Sequence, residues 1–188
     1  MTHSPYVDGP RYEAPGDLEL VRRFVNTNDL EAGAEQLDTP AALSRWLGEH
    51  GLDPSPASLG PADLERTVEL REALRQVLLA NNGAELPGET YERLNAAVGG
   101  VAMEVRFDPE CGVDLVPSCT GIDAALARIV EIVRLAMEDG EWARLKVCPA
   151  DECLWAFYDR SRNHSRTWCS MEVCGNRSKV RAFRRRGS

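Results

Sequence analysis

Apolar residues recur at helical spacing through most of the chain, and where the spacing changes the predicted element changes with it. In "GDLELVRRFVNTNDL", Leu18, Val21 and Val25 share a face and Asp17 stands where an N-cap belongs, which predicts a first helix ending near Asn28. In "DTPAALSRWLGEHG", Thr39 is a capping residue, Pro40 takes the first helical position, Leu43, Trp46 and Leu47 form a stripe, and Gly51 ends it. The longest helix falls in "PADLERTVELREALRQVLLANNG", stopped by Asn82 and Gly83, and a shorter one runs from about Tyr91 to Val98. "VAMEVRFDPECGVDLVP" then shifts to period two, with Val101, Met103 and Val105 on one side, a turn at Asp108 to Gly112, and Val113 and Leu115 beyond it: a β-hairpin near 101–117. "TGIDAALARIVEIVRLAMEDG" returns to helix, with Ile122, Leu126, Ile129, Val130, Val133 and Met137 on a wide apolar face closed by Gly140. The pattern predicts a mainly α (α+β) fold: a lead-in at 1–16, a helical domain with one hairpin at 17–143, and a small cysteine-rich module at 144–188.

Composition sharpens this picture in two ways. With 188 residues, 43% hydrophobic and 28% charged, the chain has the make-up of a soluble globular protein with one main core. No apolar run approaches the roughly 18 residues of a membrane span, and the opening stretch lacks a basic region followed by an apolar one, so a cytoplasmic protein with no membrane partner is expected. The net charge of -8 is also unevenly placed: from Arg144 onward eleven basic and four acidic residues give +7, leaving -15 on the rest. Only the C-terminal end is suited to meet a polyanion.

The long helix carries an anomaly. Leu64, Val68, Leu70, Leu74, Val77 and Leu78 define an apolar arc, and Arg71 and Arg75 fall inside it. Two readings follow: ion pairs with acids of neighbouring helices, or an anion pocket for a small ligand completed by Asn26 and Asn28. The chain has no glycine-rich phosphate loop, no Gly-x-Ser-x-Gly elbow and no His/carboxylate cluster, with His3 and His50 at a terminus and a helix end, so no enzyme is expected.

Cys148, Cys153, Cys169 and Cys174 form two C-x4-C pairs separated by fifteen residues. Paired thiolates on two knuckles suit one tetrahedral zinc per chain, with His164 as an alternative ligand. Four thiolates leave no open position, so the zinc is structural. Between the pairs, Trp155, Phe157 and Tyr158 suit a strand with Trp168 on its return, forming either the module's core or, if exposed, a base-stacking platform. Cys111 and Cys119 flank the hairpin and read as buried free thiols or a redox pair.

The last stretch, from Arg177 to Arg186, holds six basic residues in ten and no acid. As a helix starting near Ser170, it gathers Arg177, Arg181, Arg184 and Arg185 on one arc, with Val173, Val180 and Phe183 on the next, packed on the zinc hairpin. Candidate contacts to double-stranded DNA are Arg177, Lys179, Arg181, Arg184, Arg185 and Arg186, extended by Arg160, Arg162 and Arg166. Cations near a helix C-terminus also simply offset its dipole. Asn176 and Arg177 lie close enough to the knuckle to support the metal site instead.

The segment "CPADECLWAFYDRSRNHSRTWCSMEVCGNRSKVRAFRRR" resembles the CGNR zinc-finger family, named for the tetrapeptide at Cys174, Gly175, Asn176 and Arg177. Upstream, "FVNTNDL", "TPAALSRWLGEHGL" and "LREALRQVLLA" resemble the ABATE-type domain that precedes this finger. One departure is Arg23, where the resemblance implies an acid. The resemblance implies four cysteine ligands on zinc and a bacterial transcription regulator linked to stress; the module itself is expected to be treble-clef-like or ribbon-like. The reading is a DNA-binding regulator with a ligand- or partner-sensing N-terminal domain and a candidate homodimer. The alternative is a protein-interaction or small-ligand-binding protein whose finger is purely structural.

Overall fold

A computed structural model of the chain describes residues 12–52, 59–110 and 112–186, and for Ala182, Arg185 and Arg186 the backbone alone. His3, most of the lead-in, Cys111 and the side chains of Arg185 and Arg186 thus lie outside the described residues. Six α-helices are described: α1 (Leu18–Val25), α2 (Pro40–Glu49), α3 (Pro61–Ala80), α4 (Thr90–Ala97), α5 (Ile122–Glu138) and α6 (Asn176–Arg186). Three antiparallel strand pairs join them: β1 (Asn28–Asp29) with β2 (Ala34–Glu35), β3 (Met103–Phe107) with β4 (Val113–Pro117), and β5 (Leu145–Val147) with β6 (Ala156–Tyr158).

Local chemistry sets most of these boundaries. Thr39 Oγ1 accepts the amide of Ala42 at 3.1 Å and Pro40 opens α2. Gly83 and Gly140 adopt positive φ, 93° and 76°, where a side chain would be strained, and follow the ends of α3 and α5. The first helix is shorter than its pattern suggests. It stops at Val25 because the next two side chains turn to the backbone, Thr27 Oγ1 to Phe24 O and Asn26 to a strand 130 residues away. Asp17 makes no side-chain cap and instead pairs with Arg128 of α5.

The core gathers Val21, Phe24 and Val25 of α1, Leu70, Leu74 and Leu78 of α3, and Leu126 and Ile129 of α5. It continues without a break into Leu145 and Val147 of β5 and Ala156 and Tyr158 of β6. The alternation of strands explains this, because these four point to the helices while Phe157 faces a second cluster with Tyr12, Trp155 and the four cysteines. A two-stranded sheet is marginal alone. Here it is the layer shared by both cores.

The hairpin β3–β4 forms where expected, in the register Val105–Leu115 and Phe107–Val113. Its apolar face is open, with Phe107 exposed to 74%. Cys119 is half-buried rather than enclosed, its thiol near Ala102 O.

Candidate metal centre and basic helix

The first cysteine pair is set by a tight turn. Cys148 donates its amide to Trp155 O at 2.9 Å, Cys153 donates to Ala150 O at 2.8 Å, and Leu154 takes left-handed backbone with φ 45°. That conformation is unusual for a residue with a Cβ. Arg75 Nη1 holds it by donating to Leu154 O at 2.8 Å. The second pair sits on a helical entry. Ser170 caps it through Oγ to the Val173 amide, one π turn follows at Met171–Gly175, and the chain runs on into α6. A Cβ on Gly175 would displace the flexible, half-exposed end of Met171 and come within 3.3 Å of Trp168.

All four sulfurs are buried and lie within 4.8 Å of one another, with 3.5 Å between Cys153 and Cys169 and 3.7 Å between Cys169 and Cys174. A tetrahedron with metal–sulfur bonds of about 2.3 Å has edges of about 3.8 Å, so the cage has the size that zinc requires. Hydrogen bonds from Cys153 and Cys169 hold the Cys148 thiol far down, the same contacts push Cys153 and Cys169 up, and burial raises Cys174. Four thiolates stand together here only around a divalent cation. The cysteines are placed to hold one zinc ion, and four sulfurs complete its coordination. His164 is exposed and outside this group; its carbonyl accepts from Lys146 Nζ.

Two family profiles match the chain, the CGNR zinc finger over residues 144–187 and ABATE, described as "Putative stress-induced transcription regulator", over residues 18–146. The chain belongs to the ABATE family. No relative was found among curated proteins.

The ABATE domain grips the finger through side chains that bond its backbone. Asn26 mimics a strand neighbour, with Nδ2 donating to Ala156 O at 2.9 Å and Oδ1 accepting Ala156 N at 2.7 Å. At the end of α3, Asn81 Nδ2 donates to Trp142 O and Leu145 O, and Asn82 Nδ2 to Val147 O and Thr167 O. The pattern alone does not show these roles, which depend on partners about 60 to 130 residues away.

Arg71 and Arg75 are buried to 1% and 2% exposure and are fully engaged by the protein. Arg71 forms a bidentate pair with Glu35, both bonds 2.7 Å, and reaches Thr27 Oγ1 and Glu72. Arg75 bonds Glu72 Oε2 and the carbonyls of Val25 and Leu154. The anion pocket drawn from Asn26, Asn28, Arg71 and Arg75 is therefore corrected: Asn28 lies in β1 with its carbonyl turned to Arg75 Nη2, and these groups close the joint between domain and finger. Glu72 serves both arginines; burial raises its pKa, and the two guanidinium groups bring it below the ordinary value.

Sequence reading missed Lys146 and Asp159. Lys146 Nζ donates to Asp159 Oδ2 at 2.8 Å and to His164 O, while Asp159 also accepts the amides of Ser161 and Arg166. Burial lifts the Asp159 carboxyl, and these donors hold it at about 2. A lysine inside the apolar run "LKV" was the one signal. The pair shapes the loop that displays Arg160 and Arg162, both exposed. Arg166 is not part of that display. It packs over the rings of Tyr12 and Phe157 and bonds Trp168 O and Cys169 O, so it supports the finger from below. Trp155, Phe157 and Tyr158 are core, and Trp168 lies in the loop rather than on a return strand.

On α6, Arg177, Lys179, Arg181 and Arg184 are exposed. Arg177 pairs with Glu31 of the ABATE domain and Arg181 with Glu152 of the first knuckle. Asn176 bonds Glu172 O. The apolar arc does not pack on the hairpin as expected: Val173 is half-buried, but Val180 is 50% and Phe183 81% exposed, and it is Arg181 of the cationic arc that meets the first knuckle, through Glu152. Among the described residues no helix is long and apolar enough to cross a membrane.

Proposed function

We propose that this protein is a cytoplasmic transcription regulator that binds duplex DNA through α6, with the zinc fixing the base of that helix and the ABATE domain carrying it. The observation that carries the reading is the placement of Arg177, Lys179, Arg181 and Arg184 on one exposed helix that starts at the metal knuckle. Arginine forks suit phosphates and guanine edges, and the exposed ion pairs of Arg177 and Arg181 are weak enough to exchange for phosphate. Arg160 and Arg162 extend the cationic surface. Reduced thiolate ligands fit a reducing compartment.

The test is a binding selection from random duplex DNA with the full chain at physiological salt. The isolated finger is unsuitable, because β5 and β6 belong to the main core. About five phosphate contacts give a slope near -4.5 of log affinity on log salt, from about -0.9 per contact. An Arg181→Ala, Arg184→Ala double variant should flatten it by about two such steps. Weak, salt-insensitive binding by both proteins rejects DNA as the partner.

A second reading has its own observation. Val180 and Phe183 give α6 an uncovered apolar face beside its cations, as on a helix that docks in a protein groove. The finger then serves as scaffold, and Phe183→Ser abolishes partner binding while sparing any interaction with DNA.

A further inference from the structure

A cleft of about 200 Å³ opens between α3, α4 and α5. Leu74 and Val77 of α3, Leu94 of α4, Val133 of α5 and Trp142 are among the residues that line it. Asn95, exposed on α4, supplies a polar group of the lining, and among the described residues no charged one takes part. We propose that this cleft binds a small, uncharged, largely apolar molecule with one hydrogen-bonding group.

Three features specify that occupant. The volume suits a ring or short chain and excludes a helix, which is about 10 Å across with its side chains. Walls of leucine and valine without a countercharge disfavour an ion, since an unpaired charge loses its hydration on entry. An amide at the rim both donates and accepts, so it orients a hydroxyl or an N–H without demanding a charge.

The cleft is also mechanically close to the finger. Trp142 lines the cleft and its carbonyl accepts from Asn81 Nδ2 at 2.9 Å, and three residues later the chain enters β5. The α3 wall residues alternate with Arg71 and Arg75, which clasp β1, β2 and the first knuckle. An occupant here sits one side chain away from the contacts that hold the finger. This purpose rests on the regulator reading, whereas the site itself does not.

The experiment titrates indole, and separately indole-3-carboxylate, into the zinc-loaded full chain labelled with nitrogen-15, with no DNA present. Saturable amide shifts are expected around Leu74, Asn95, Val133 and Trp142. Val133→Phe, which fills the cleft, should weaken indole at least tenfold, and Asn95→Ala, at an exposed position, should weaken it several-fold. The carboxylate should bind at least tenfold more weakly than indole. Non-saturating shifts, shifts centred on exposed Phe107 and Val113, or equal binding of the carboxylate overturn the proposal. If Val133→Phe fails to fold by circular dichroism, the Asn95→Ala and carboxylate comparisons decide it. Failure of DNA binding leaves every one of these readouts intact.

Discussion

Arg177, the last residue of the CGNR tetrapeptide, donates its Nη2 to Glu31 Oε1 at 2.7 Å and so ties the start of α6 to the β1–β2 turn of the ABATE domain. That turn is itself anchored, because Arg71 grips Glu35 at its far end and Asp29 accepts the Ala32 amide. The acidic body thus touches the basic helix at a defined point.

Glu31→Gln should therefore strengthen binding to duplex DNA. An exposed pair is worth about 0–1 kcal/mol, so the expected gain is at most about fivefold. The measurement is affinity at two salt concentrations for both proteins. Weaker binding by the variant would show that Glu31 orients Arg177 rather than competing for it.

Metal analysis of reduced protein should give one zinc per chain. Structural zinc sites supply about 10–16 kcal/mol of apparent binding energy, much of it folding energy. Strong chelation, or Cys169→Ser, should abolish the fold of residues 148–186 and lower the thermal midpoint of the remainder, which loses the β5–β6 layer. Circular dichroism should retain most of its helical signal, carried by α1 to α5. An unchanged melt in metal-free protein contradicts the site.

Asn26→Ala should cost about 2–4 kcal/mol, since it leaves the buried N–H and C=O of Ala156 without partners at about 1–3 kcal/mol each. Hydrogen exchange at the Ala156 amide should accelerate by orders of magnitude. Asn26→Asp keeps the acceptor and loses the donor, so it should protect that amide better than alanine does.

Glu72→Gln should lower stability by about 2 kcal/mol at neutral pH. Breaking a buried ion pair costs about 3–5 kcal/mol, and here Glu72 is partly exposed while Arg71 keeps Glu35. The folded carboxyl titrates below its ordinary 4.5, so its stabilisation is complete above that value and is lost as the pH falls beneath it. The stability gap between the two proteins should therefore be constant from pH 7 to about 5 and close in more acid solution. Zinc release at low pH affects both chains and cancels in the difference.

Local chemistry was legible in the sequence. The Thr39–Pro40 start of α2, the glycines after α3 and α5, the period-two hairpin and the two C-x4-C knuckles depend on residues within a few positions of one another, where capping, φ preference and ligand spacing act directly. Tertiary structure decided what the polar residues do. Arg71 and Arg75 read as ion-paired, with an anion pocket as the alternative, until Glu35, Glu72 and distant carbonyls closed around them. Arg166 read as one more surface cation until Tyr12 and Phe157 were beneath it, and Val180 and Phe183 read as packed until α6 turned them to solvent. The physical reason is that an apolar side chain needs only to leave water, so periodicity alone places it, whereas a buried charge or amide needs a particular partner, and that partner comes from whichever distant segment the fold brings alongside.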